Sequence, residues 1–180
     1  MAEPAIEKLE ESGRVRVDRK AFELRPAPVP TLDPHGEYLS SVWREAVYPL
    51  AELLRVPIQL PPVQPRSRLA HEAARFAATR EKLPAFHAEV FHAFFVRGED
   101  IGMIDVLVSL GKKVGLDADE LRHALGTHRF EAEVMADEEL AERLGVHAVP
   151  AFVADGHRVI TGVRTAEDLF RLCEVGCQPS

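Results

Sequence analysis

Cysteine is scarce in this chain: only Cys173 and Cys177 occur among 180 residues, both close to the end. Two thiols are too few for a disulfide scaffold. Basic residues are outnumbered, with 22 Lys and Arg against 29 Asp and Glu for a formal charge of -7. No basic run is present, so a phosphate-backbone footprint is excluded and nucleic acid is not expected as a partner. No apolar stretch approaches the roughly 20 residues needed to span a bilayer. The start, Met1-Ala-Glu-Pro-Ala-Ile-Glu-Lys8, lacks the basic-then-apolar form of a secretory signal. These readings set the expectation of no membrane partner and a cytoplasmic location. A Ser-His-Asp order, a glycine-rich phosphate loop and a His-Glu-x-x-His motif are also missing, so the sequence offers no independent nucleophile, no metal site and no cofactor.

What is there is an ordinary globular balance, 46% hydrophobic and 28% charged, long enough for one core or for a small domain carrying an insertion. One compact unit is expected. Glu3 to Glu11 reads as an amphipathic helix with Ile6 and Leu9 on one face and Gly13 placed to end it. Val15, Val17, Ala21, Phe22 and Leu24 form a strand-like run, stopped by the prolines between Pro26 and Pro34. A helix from about Glu37 to Arg55 follows, carrying the sole tryptophan, Trp43. Residues 57–65 contain four prolines and act as a stiff connector. From Ser67 to Leu144 the pattern is helical, broken into four or five helices by Pro84, Gly98, Gly102, Gly115 and Gly126. Asp117 with Glu120 and Thr165 with Asp168 are capping boxes.

The most informative stretch runs from Leu144 to Thr161. Gly145 is a helix stop, Phe152–Ala154 and Arg158–Thr161 are β-prone, and Asp155-Gly156 between them signals a two-residue type I′ turn, since both central residues need positive φ. Pro150 has no N–H and belongs at the start of the first strand. A tight turn is where a cis X-Pro bond is placed, although sequence alone does not distinguish cis from trans at Val149-Pro150.

Gly145-Val-His-Ala-Val-Pro-Ala-Phe-Val153 resembles the cis-proline loop of the DsbA-like thioredoxin-fold proteins. Ala21-Phe-Glu-Leu-Arg-Pro26, Pro61-Pro-Val63 and Ser67-Arg-Leu-Ala-His-Glu-Ala-Ala74 are similar to the second strand and helical insertion of the FrnE-like branch of that family. The resemblance implies an α/β, thioredoxin-like fold with a helical insertion. Residues 1–36 and 145–180 would form the thioredoxin-like part, and 37–144 the connecting helix and insertion. It also implies that the first central strand and the Cys-x-x-Cys after it are missing. The sheet would then be split, leaving unpaired backbone groups that each cost about 1–3 kcal/mol if dry. The expectation is a truncated or catalytically incomplete form, such as a late start codon would produce.

The activity implied is thiol-disulfide exchange on thiol or disulfide peptides and proteins, with Val149 and Pro150 offering backbone hydrogen bonds to an extended substrate. No catalytic residue is assigned. His147, in the same loop, either touches substrate or is simply exposed. Arg68 and His71 share a helix face that either contributes to the site or is solvated. Cys173 and Cys177, at i and i+4, are either incidental thiols or an accessory redox pair. They are not the family's active-site pair, since they lie on the wrong helix with one extra spacer residue. Two alternatives stay open: a glutathione-using relative of the isomerases and kappa-class transferases, or a non-catalytic peptide-binding module that dimerises or takes a strand from a partner.

Overall fold

The computed structural model describes residues 1–174. Its elements are α1 (Glu3–Glu11), α2 (Glu37–Val42), a π-helical turn (Trp43–Val47), α3 (Tyr48–Leu54), α4 (Arg68–Ala78), α5 (Leu83–Phe95), α6 (Ile104–Lys113), α7 (Ala118–Gly126), α8 (Glu131–Arg143), β1 (Ala151–Ala154), β2 (Arg158–Thr161) and α9 (Ala166–Glu174). The chain divides into two compact units, Arg25–Ala136 and Met1–Leu24 with Asp137–Ser180, in place of the single unit expected from length. The physical reason is that the contiguous apolar cluster draws on the first of these stretches alone, from Ala70 to Phe130.

In the helical unit, apolar residues recur at three- and four-residue spacing, so each helix turns one stripe inward. Ala70, Ala73, Phe76 and Ala77 of α4 meet Phe86, Val90 and Ala93 of α5, Leu107 and Leu110 of α6, and Leu121, Ala124 and Leu125 of α7 in one core. Phe76, Phe86, Leu107, Leu110, Leu121 and Leu125 are fully buried, and each such side chain is worth about 1.5–3 kcal/mol of apolar transfer. A methyl group at Gly111 would lie 2.5 Å from Leu121 Cδ2, which shows how closely α6 approaches α7. Asp117 caps α7, its carboxylate accepting from the Asp119 and Glu120 N–H groups at 3.0 and 2.8 Å. The helix expected over 37–55 forms, with a π-helical turn in its middle. Trp43 there packs edge-on to Tyr48, with ring centroids 5.5 Å apart.

In the other unit α1 packs against α9, and α9 against β1. Leu9 and Leu169 are buried. Arg19 fastens the segment after α1 back onto it, reaching Glu10 at 2.7 Å and Glu3 at 3.3 Å. The strand expected at Val15–Leu24 does not form. Among the described residues the only sheet is the antiparallel pair β1–β2. A strand exists only through its ladder, and this segment is tied instead to a side chain. The Ala21 N–H donates to Asp137 Oδ2 at 2.9 Å, and Lys20 Nζ lies 3.6 Å from Asp137 Oδ1. No helix among the described residues is long and apolar enough to cross a membrane.

Candidate functional site

The proline loop is built from the end of α8. Gly145 is left-handed (φ 68°), its N–H donates to Glu142 O at 3.0 Å, and the Val146 N–H donates to Ala141 O at 2.9 Å. This is a Schellman closure, whose left-handed position favours the glycine found there. Val146 is buried, which anchors the start of the loop. At the far end the Gly162 N–H donates to Pro150 O at 2.8 Å. Between these two fixings His147, Ala148 and Val149 are exposed, Val149 by 43%. The Val149–Pro150 peptide bond is cis, as is Ala27–Pro28.

β1 continues from the loop and pairs with β2 in the register Ala151↔Thr161, Phe152↔Ile160, Val153↔Val159 and Ala154↔Arg158. Asp155 and Gly156 are both left-handed, at φ 53° and 75°. The turn is one residue longer than the two-residue form expected, because Ala154 faces Arg158 and not His157. Side chains stabilise the extra residue: Arg158 Nη2 reaches Asp155 Oδ2 at 2.6 Å, and the His157 ring lies 2.7 Å from Asp155 O. With Pro150 O committed to β2, the alternation of an antiparallel ladder turns the backbone N–H and C=O groups of Ala151 and Val153 to the opposite edge. No strand pairs with that edge among the described residues.

α9 opens on a reciprocal box. The Asp168 N–H donates to Thr165 Oγ1 at 3.2 Å, while Thr165 donates to Asp168 Oδ2 from its hydroxyl at 2.8 Å and its N–H at 3.2 Å. The side-chain and backbone bonds from Thr165 hold the Asp168 carboxyl below its ordinary range. Cys173, on α9, is half-buried and unbridged. Cys177 lies outside the described residues.

His147, Val149 and Pro150 thus sit together on one loop. Arg68 and His71 both lie on α4 of the helical unit, where Arg68 faces Glu131 at 3.6 Å. A shallow cavity of about 230 Å³ in that unit is lined by Pro65, Arg66, Arg68, Leu69, Asp100 and Met103. Its polar groups are already engaged. Arg66 donates to Arg25 O and Val29 O at 2.8 and 2.9 Å, and Asp100 accepts from the Gly102 N–H at 2.8 Å. Among the described residues no group of three or more side chains is arranged to hold a metal ion. Sequence reading missed the buried carboxylates Glu72 and Asp137. Each stands at an unremarkable polar step in a helical pattern, so the sequence carried no signal for either.

A thin hairpin led by a proline loop, with α1 and α9 packed in the same unit and a large helical unit inserted between the two stretches of chain, defines the thioredoxin-like fold with a helical insertion. A family model described as DSBA-like thioredoxin domain matches residues 1–172, and the chain belongs to that family. The uncharacterized protein YwbO of Bacillus subtilis is 36% identical over 160 residues, which is 87% of this chain and 79% of YwbO. Among solved structures, that of a probable DsbA oxidoreductase from Streptomyces coelicolor agrees with a TM-score of 0.80 at 21% identity, covering 99% of this chain and 83% of that one. At that identity the likeness is one of fold.

Proposed function

We propose that this chain serves thiol-disulfide exchange of the DsbA-like, FrnE-like kind by holding an extended thiol- or disulfide-bearing peptide on the loop of His147, Val149 and Pro150. The observation that carries the reading is the loop itself: exposed side chains between two hydrogen-bonded ends, continuous with a strand whose outer edge is open. Such an edge offers an extended peptide its main-chain bonds, while exposed side chains beside it supply selectivity. In this reading the loop belongs to a thioredoxin-like part made of residues 1–36 and 145–180, with 37–144 as connecting helix and insertion.

In exchange chemistry an attacking thiolate forms a bond to one substrate sulfur and the other leaves as thiolate; a second cysteine then displaces the mixed disulfide. With no Cys-x-x-Cys among the 180 residues, this chain in our reading is catalytically incomplete and supplies the binding half of the reaction. Cys173 and Cys177 are at most an accessory pair. Two measurements on the 180-residue protein test this. Insulin reduction is expected to stay at the uncatalysed rate. Titration with a disulfide-bearing peptide is expected to shift the NMR signals of residues 146–153, and an unmoved loop would sink the reading. Glutathione, itself a small thiol peptide, is the second ligand to titrate, and a response to it alone would favour the glutathione-using relatives.

A second reading rests on the open edge at Ala151 and Val153. Here the chain is a non-catalytic binding module, and a partner or second copy donates a strand there. Sedimentation showing a dimer, together with slowed amide exchange at Ala151 and Val153, would favour it.

A further inference from the structure

We propose that Glu72 and His128 form a proton-operated clasp that holds the turn between α7 and α8 onto α4, closed when the imidazole is charged and loosened when it is neutral. Glu72 lies in the middle of α4 and is fully buried. One oxygen, Oε1, is 3.1 Å from His128 Nδ1. The other, Oε2, is buried with no hydrogen-bond partner. A carboxylate sealed from water on one oxygen is stabilised by a countercharge held close to the other, which offsets part of the solvation it has lost.

The backbone at His128 fixes where its ring can reach. The His128 N–H donates to Leu125 O at 3.2 Å and the Arg129 N–H to Ala124 O at 3.0 Å, a Schellman closure of α7 with His128 at φ 50°. That left-handed position favours glycine, and an imidazole there holds the backbone in a sparsely populated region. What the side chain gains in return is the carboxylate below it. Its outer face remains 53% exposed, so protons exchange with solvent freely.

The charged groups acting on the ring are Glu72 and Arg68 of α4 and Glu131 of α8. The hydrogen bond to Glu72 is the largest influence and raises the imidazole above its ordinary value, Glu131 adds to this, and Arg68 opposes it. A group raised in the folded state contributes its full stability below the unfolded value, about 6.5, and loses it as pH rises through the higher folded value. The clasp therefore closes on the acid side and opens on the alkaline side.

Amide hydrogen exchange across residues 127–131, corrected for intrinsic rates and compared between about pH 6 and about pH 8.5, tests the clasp. We expect protection there to fall by roughly threefold to tenfold on the alkaline side, the range for a charge-assisted hydrogen bond weakened by exposure. The fall should vanish in His128→Gln, a change at an exposed side chain that spares the core. His128→Gly should also lose the pH dependence while relieving the backbone. The ring protons of His128 should titrate at higher pH in the native protein than in Glu72→Gln. An unchanged pH dependence in His128→Gln overturns the proposal, whether or not the Glu72 variant folds.

Discussion

Between Arg25 and Ala136 the buried side chains form a hydrocarbon core in which Glu72 is the sole buried carboxylate among the described residues. Among the described residues of the unit of Met1–Leu24 with Asp137–Ser180, two buried carboxylates, Glu23 and Asp137, stand beside four buried apolar residues, Leu9, Ala21, Val146 and Leu169. Apolar burial is non-directional and sums over area, so the helical unit draws its stability from many interchangeable contacts. Polar ties contribute less each and lose much when one partner goes. The unit that carries the proline loop is thus the more specified and the less cushioned of the two.

The largest expected effect lies in the helical unit. Phe86→Ala should destabilise it by about 3–5 kcal/mol in denaturant unfolding, as large cavities do, and a loss under about 1 kcal/mol would show that the apolar cluster is not what holds it. Next is Asp137→Ala, which strands the buried N–H of Ala21. A cost of about 1–3 kcal/mol is expected, with faster amide exchange through residues 15–24. If exchange there does not change, the segment is held by something other than that carboxylate. Asp117→Ala should cost about 1 kcal/mol through the lost cap of α7, a small local wound in a large core.

The smallest effect is a matter of pH. The Asp168 carboxyl is lowered from 3.8 by its Thr165 bonds, so its contribution is present above that value and is lost as pH falls through the lower folded one. Asp168→Asn should flatten the acid limb of the stability curve below about pH 4, leaving neutral pH almost unaffected. A variant whose acid limb matches the parent would show that the box does not couple to folding.

Legibility in the sequence followed the range of the interaction. Gly145, Asp117 and the Thr165–Asp168 box act within a few residues of themselves, so residue type and spacing named them, and the structure supplies the bonds. The positive φ of Asp155 and Gly156 was legible for the same reason. Alternation from Val15 to Leu24 shows only that a segment could be a strand, because the ladder is a property of two segments. Asp137 meets Ala21 across a sequence separation of 116 residues, and nothing in either neighbourhood announces it. The loop residues His147, Val149 and Pro150 were legible as one stretch. The π-helical turn at Trp43–Val47 and the pairing of Glu72 with His128 were not, since one is a slight change in winding and the other joins a helix to a distant turn by a single contact.

The hairpin turn has a consequence for how this chain can vary in length. With three residues between Ala154 and Arg158, Ile160 stands across from Phe152 and Val159 across from Val153. Removing His157 alone would leave Asp155 and Gly156, both already left-handed, as a two-residue turn with Ala154 still opposite Arg158, so the ladder would keep its register. Removing a residue from within β2 would instead carry every side chain beyond it to the other face, because side chains alternate with a period of two. The hairpin thus tolerates a change of length in its turn and resists one a single residue further along.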